Sequence, residues 1–251
     1  MTAVDVRIRA TWARALGVEP ELLAMPGTLV VADPRRTARD VIQLWPVGQR
    51  TVVEVAPSRR AAVEAVARRR PTEHRMSADD LLLGLPFRVQ PEDRAQLLVL
   101  DPEGFDPLPV PAGTQLRELT EADRGAVVAC LRRCPPTEQE EGDVGVGGEH
   151  QRSVGAVQDG RIVAVASVVD WRGFADLGVV ADPEARGRGV GGAAISRLCE
   201  LLLEDPRVVL YRHREANVPS AIIAARLGLR PIGAGEGLRP VVAPRLRRAS
   251  G

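Results

Sequence analysis

The stretch from Val179 to Gly192, followed by the helix-like segment from Ala193 to Leu203, constrains this chain more than any other. An apolar strand ends at Asp182-Pro183, a glycine-rich turn follows and an amphipathic helix begins. Unpaired backbone N–H groups and a helix N-terminus therefore converge on one point. Such a point is suited to phosphate. Arg186 and Arg188 add positive charge, and Gly187, Gly189 and Gly191 carry no Cβ to keep a pyrophosphate off the main chain. The stretch predicts a ligand that carries a nucleotide.

Gly187, Gly189 and Gly192 fit the pattern G-x-G-x-x-G. In a dinucleotide fold the first glycine directly follows the strand, and an acidic residue ends the next strand about 20 residues on. Here Asp182 to Arg186 intervene, and the next strand, Val208 to Tyr211, runs into Arg212, His213 and Arg214. Arginines could take a 2′-phosphate, so an NADP-binding oxidoreductase stays open as an alternative.

Composition removes other chemistries. All 34 basic residues are arginine, so a P-loop lysine and a pyridoxal Schiff base are both excluded. No G-x-S-x-G, H-E-x-x-H or C-x-x-C motif occurs. Cys130, Cys134 and Cys199 sit in helical patterns and read as reduced, packed thiols; no metal site is expected. The net charge of +1 argues for neither nucleic acid nor a membrane as partner. No apolar run approaches about 18 residues and no signal peptide is visible, so a cytoplasmic protein is expected.

Residues 1–112 read as a smaller mixed α/β domain without a chemical motif. Strands are predicted at 28–32, 41–47, 51–56 and 96–100, a helix at 59–69 capped by Ser58, and another opened by Ser77. Trp12, Trp45 and His74 read as packing residues. Four prolines between Asp101 and Pro111 read as a linker. A second domain is expected at 113–243 and an arginine-rich tail at 244–251. Its predicted elements are a strand at 115–118, a helix from Thr120 to Pro135 and an acidic loop with Glu138, Glu140, Glu141, Asp143 and Glu149. A hairpin turning at Asp159-Gly160 and a strand at 174–181 lead to the glycine turn. Helix 193–203, strand 208–211, helix 218–227 and a terminal hairpin at 229–242 complete it.

That order, with Arg186, Gly189 and Gly191 matching R-x-x-G-x-G, resembles the GCN5-related N-acetyltransferase (GNAT) superfamily over about 113–243. Asn217-Val218-Pro219-Ser220-Ala221 and Leu227-Gly228-Leu229 resemble the family's second segment, and Asn217 is the only asparagine present. The resemblance implies a two-domain α/β (α+β) protein. Its C-terminal half would be a mixed central sheet, splayed between two strands and flanked by helices.

The resemblance also implies an acyl-CoA-dependent N-acyltransferase that moves acetyl from acetyl-CoA to an amine, in a ternary complex and without a metal. A non-catalytic acyl-CoA sensor is the alternative. Gly187, Arg188, Gly189, Val190, Gly191 and Gly192, with Arg186, would seat the pyrophosphate. Val179, Val180 and Ala181 would pair with the pantetheine, with an N–H near Val180 or Ala181 on the thioester oxygen. Asn217 and Ser220 would contact the pantetheine arm or order the adjoining loop.

Asp176 lies near where many members carry a carboxylate base; an outward-facing polar residue is its other reading. His213 is a second candidate, with Glu215 beside it, and Arg212 and Arg214 read as surface charge. The usual tyrosine position is Ala224. Tyr211, the chain's only tyrosine, reads as a core-edge residue with a paired hydroxyl, or as a substitute acid. The acceptor would be a small-molecule or peptide amine, and a homodimer is compatible with these features.

Overall fold

A computed structural model describes residues 2–241; the expected tail at 244–251 and the last residues of the expected second domain lie outside the described residues. In chain order the first half contains α1 (Ala3–Leu16), α2 (Pro20–Ala24), β1 (Gly27–Ala32), β2 (Ile42–Val47), β3 (Arg50–Val55), α3 (Arg60–Ala67), α4 (Ala78–Gly84), β4 (Val89–Pro91) and β5 (Ala95–Val99). The second half contains β6 (Gln115–Glu118), α5 (Arg124–Leu131), α6 (Pro136–Gly142), β7 (Arg152–Gln158), β8 (Arg161–Trp171), β9 (Phe174–Ala181), α7 (Val190–Leu201), β10 (Val209–Arg214), α8 (Val218–Arg226) and β11 (Arg230–Pro240).

The chain divides into two compact units, and neither is one continuous segment. One holds residues up to Ala15 together with Gln96–Gly233; the other holds Leu16–Ala95 together with residues from Ala234 onward. The units therefore meet in sequence at 95/96, and nearly all of α1 belongs with Gln96–Gly233. Trp12 explains the placement of α1: it is fully buried, with its ring 5.7 Å from Trp171 and 5.3 Å from Phe174, both edge-on. Arg7 adds hydrogen bonds to the carbonyls of Asp205, Pro206 and Arg207.

In the larger unit the strands run β11, β5, β10, β9, β8, β7, β6 across the sheet, β11 contributing its residues up to Gly233. β6 to β9 are antiparallel neighbours and β9 is parallel to β10. The β7–β8 hairpin forms as its Asp-Gly turn predicts, with φ of 49° at Asp159 and 71° at Gly160. Leu177, Ala194, Ile195, Leu198, Tyr211, Ala224 and Leu227 form the core on the α7/α8 side. Val127, Cys130, Cys134, Ile162, Val165 and Val180 form the core on the α5 side.

Three expectations change here. The acidic stretch after Pro135 is not a loop: Pro136 occupies the first position of α6, where its missing N–H costs nothing, and Asp143 ends the helix at φ 42°. The terminal hairpin is replaced by the single strand β11, and β5, from the earlier half of the chain, lies between β10 and β11. Residues 101–111 are docked rather than a free linker. Asp106 N donates to Leu227 O at 3.1 Å and Leu108 N to Ser196 Oγ at 2.9 Å.

The smaller unit has β3 between parallel β1 and antiparallel β2, and β11 from Ala234 onward between β2 and β4. Ile42, Leu44, Val53, Val55, Val63, Val66 and Leu81 fill its core. Ser77 caps α4 as predicted, and its own N–H donates to the Asp80 carboxylate at 3.0 Å. Ser58 lies instead inside a 3₁₀ turn, Pro57–Arg59, ahead of α3. His74 Nε2 donates to Asp80 Oδ2 at 2.8 Å, and buried Trp45 donates to Glu54 at 3.1 Å.

Candidate functional site

Two backbone features of the larger unit meet at the glycine turn. After β9 the chain makes a 3₁₀ turn, Pro183–Ala185, capped by Asp182, and Gly187 and Gly189 follow at φ 73° and 83°. L-residues with a Cβ avoid that region, so glycine is what lets the chain bend there. Gly189 is the N-cap of α7 and offers no side chain, and the first helical bond is Ala193 N to Gly189 O at 2.9 Å. The N–H groups of Val190, Gly191 and Gly192 thus precede the helical ladder and carry its positive end. A Cβ on Gly187 would meet nothing within 4 Å, so the turn is open on that side.

The second feature is a parting of strands. Parallel pairing covers Ala175 with Val209, Asp176 with Leu210 and Leu177 with Tyr211, and among the described residues it ends there. Beyond it β9 continues to Ala181 and β10 to Arg214. Asp182 N donates to Val163 O at 2.9 Å. Since bonding sides alternate along an antiparallel strand, Gly178 and Val180 turn their main-chain groups to β8, and Val179 and Ala181 turn theirs to the opening. Of the two N–H groups expected near a thioester, Ala181's faces the gap and Val180's faces β8. Arg186 Nε donates to the Ala181 carbonyl at 3.2 Å from that side.

The side chains divide between the two faces. Asp176, 6% exposed, points toward α6, where its Oδ2 accepts from Arg212 Nε at 3.0 Å and from Nη2 at 2.5 Å. The Arg212 guanidinium lies 4.1 Å over the Trp171 ring, so Arg212 is a packed ion-pair partner and not a surface charge. Asp176 Oδ1 is buried and has no hydrogen-bond partner among the described residues. Burial pushes its carboxyl above the ordinary value, Arg212 opposes this and Asp143 adds to it. Asp176 is thus buried on a half-covered strand rather than turned outward.

On the other face Tyr211 is 2% exposed, inside the α7/α8 core with Ala224. Its hydroxyl is buried and makes no hydrogen bond of standard geometry, with the Ser220 side chain close enough to interact with it weakly. Burial raises its phenol to about 12, Ser220 partly offsetting this. His213 is buried too, its ring 6.0 Å from Tyr211 and its Nδ1 2.9 Å from Arg214 O.

Asn217 caps α8, its Oδ1 accepting from Ser220 N at 3.1 Å. Its Nδ2 donates to Glu141 Oε1 at 2.8 Å, and Arg214 N donates to the same oxygen at 3.2 Å. Both ends of the Asn217 amide are thereby engaged within the protein. Glu141 was visible beforehand only as one carboxylate in an acidic run. Its helical spacing from Glu138, which pairs with Arg186, was the signal that could have separated the two.

The segment before β6 was also missed. Its Leu108 and Pro111 lie against the glycine turn, 3.0 Å and 3.5 Å from where a Cβ on Gly192 and on Gly189 would sit. Among the described residues no cluster of His, Cys, Asp and Glu could hold a metal, and no helix is long and apolar enough to cross a membrane.

The model of the acetyltransferase (GNAT) family matches residues 115–229. The match places a GNAT-family domain at residues 115–229, within the C-terminal half of the chain. Among solved structures, a GNAT-family acetyltransferase from Colwellia psychrerythraea is 12% identical, with a TM-score of 0.51 and 76% of each chain covered. A GCN5-related N-acetyltransferase from Kribbella flavida is 20% identical, with a TM-score of 0.48, 62% of this chain and 61% of that one being covered. A GNAT-family protein from Novosphingobium aromaticivorans is 21% identical, with a TM-score of 0.47 and coverage of 62% and 68%. This chain thus spans about three fifths to three quarters of these relatives. The first of them shares the fold. No curated protein matches.

Proposed function

We propose that this protein is an acyl-CoA-dependent N-acetyltransferase that acetylates an amine directly from acetyl-CoA. The observation that carries the reading is the end of β9–β10 pairing at Leu177 and Tyr211, in line with the uncapped start of α7. A phosphate-bearing thioester fits such a site. The glycine turn and α7 N-terminus take the pyrophosphate, and the gap-facing main-chain groups of Val179 with the Ala181 N–H take the amides of the arm as an added strand would. Arg188 and Arg186 flank the turn, though each is engaged locally, at Glu184 O (2.9 Å) and at Glu138 (3.1 Å).

In the reaction the amine nitrogen attacks the acyl carbon. A C–N bond forms, the C–S bond breaks with its electron pair leaving on the CoA sulfur, and the attacking nitrogen gives up one proton, matching the one that the sulfur gains. The Ala181 N–H faces the gap in which negative charge grows on the acyl oxygen. An ammonium acceptor must first lose a proton; Asp176, with an unpartnered oxygen and a raised pKa, is the group assigned to take it. His213 and Tyr211 lie on the opposite face, where the thiolate is protonated by one of them or by water.

The test is thiol release from acetyl-CoA across a panel of primary amines, with CoA binding measured separately. Binding with release establishes the transferase. Saturable binding with no release on any amine would leave a sensor, and a response to NADP alone would leave an oxidoreductase.

A further inference from the structure

Around the gap between β9 and β10 the carboxylates are not equivalent. Glu138 is held by Arg186, and Asp176 by Arg212 beneath Trp171. Glu141 differs: neutral donors, the Asn217 amide at 2.8 Å and the Arg214 main-chain N–H at 3.2 Å, hold its Oε1, and the Arg214 guanidinium stands 3.9 Å from Oε2. Its side chain is 23% exposed, against 8% for Asp176. Glu141 is therefore paired with its arginine more loosely than Glu138 and Asp176 are with theirs, and it still meets solvent.

Its location is fixed by packing. The end of α6 lies directly on β9: a Cβ on Gly142 would sit 2.2 Å from Val180 Cγ2, and a Cβ on Gly178 would sit 1.7 Å from Gly142 O. From that end Glu141 reaches to β10 and to the cap of α8, spanning the gap past Leu177 and Tyr211. The buried, unpartnered Asp176 Oδ1 lies on the same face of the sheet, close enough to α6 for Asp143 to raise its pKa. Of these two carboxylates, Glu141 is the more exposed and Asp176 the more buried.

We propose that Glu141 is the acceptor-docking residue: it binds the ammonium form of the acceptor at the gap and restricts substrates to cationic amines. This rests on the transferase reading and deepens it. Glu141 exchanges a hydrogen bond from Asn217 or Arg214 N for one from the ammonium group, so docking also loosens the bond that joins α6 to the cap of α8. The carboxylate is a positioning residue. Proton removal stays with Asp176.

The experiment uses the full chain saturated with CoA and matched charged and neutral probes, read by calorimetry. The pairs are phenethylamine and phenethyl alcohol, 1,4-diaminobutane and 4-amino-1-butanol, and a short peptide with a free or an acetylated N-terminus. The wild-type protein binds at least one more highly charged member over its partner, and added salt weakens it. Glu141→Gln keeps an amide oxygen for Asn217 and Arg214 N but deletes the charge. It loses about tenfold in affinity for that amine, worth about 1.4 kcal/mol, with CoA affinity unchanged within about twofold. Glu141→Ala lowers both the affinity and the melting point, which separates charge from capping.

Amine affinity unaltered in Glu141→Gln, or no preference for charge in the wild type, overturns the proposal. Thiol release run in parallel separates the two readings. Glu141-dependent binding without release sinks the transferase alone, and release with a KM indifferent to Glu141 sinks this proposal alone.

Discussion

Leu177 and Tyr211 are the last paired residues of the β9–β10 ladder, and the candidate site lies beyond them. Both side chains belong to the core on the α7/α8 side, so the point at which the strands part is anchored by packing.

The first prediction concerns the glycine turn. CoA bound only to the native state raises the melting point, by an amount worth about 2.7 kcal/mol at a hundredfold excess over its Kd. Gly189→Glu, which places a carboxylate at the start of α7, removes that shift. Gly189→Ala costs about 1–2 kcal/mol for its φ of 83° but leaves binding measurable, because its Cβ would stand at an ordinary 3.5 Å from Pro111. A full CoA shift in Gly189→Glu would show that the pyrophosphate sits elsewhere.

Gly178 and Gly142 make the second. Their backbones approach so closely that Gly178→Ala drives its methyl into Gly142 O and Asp143 O, atoms that cannot rotate away. The expected loss exceeds about 2 kcal/mol, since overpacking against main chain forces a backbone shift. Gly187→Ala is the comparison: it has open space but a φ of 73°, and pays only the dihedral cost of about 1–2 kcal/mol. Equal losses in the two variants, measured by urea denaturation, would refute the close approach.

Features set by neighbouring residues were legible from the chain alone. The Asp159-Gly160 turn, the Ser77 cap, the ends of β6 and β9 and the glycine turn all depend on contacts a few residues apart. What escaped was non-local. Nothing near Ala95 announces that β5 pairs beside β10, and nothing near Arg212 announces Asp176 and Trp171 as its partners. α6 is a different failure, because Pro136 at its first position and Glu138 in its first turn are helix-start signals that the acidic composition masked.

The docked segment before β6 gives a third prediction. Leu108 N donates to Ser196 Oγ, and Ser196 is 1% exposed, so Ser196→Ala leaves a main-chain N–H without its partner. The expected loss is about 1–3 kcal/mol. Faster proteolysis between Asp101 and Pro111 should accompany it. Unchanged stability and cleavage would mean that the segment is not held there in solution.

The last prediction uses the composition. Tyr211 is the only tyrosine and the chain has no lysine, so between pH 10 and 12 its phenol is read alone by absorbance. The folded-state pKa is raised from 10.0 to about 12 by burial, with Ser220 opposing. Between these values the unfolded chain binds fewer protons than the native one, so stability falls as pH rises through the window, by about 2–3 kcal/mol in total. Cys130 and Cys199, raised by burial to about 11 and about 12, act in the same direction. Tyr211→Phe removes only the tyrosine part, and at pH 7 it should be close to neutral, because the hydroxyl it deletes makes no hydrogen bond of standard geometry. Turnover decides the catalytic question. A kcat within about threefold of wild type leaves thiolate protonation to His213 or water, whereas a hundredfold loss with CoA affinity intact makes Tyr211 the acid. A phenol that ionises near 10 in the native protein would overturn the buried placement itself.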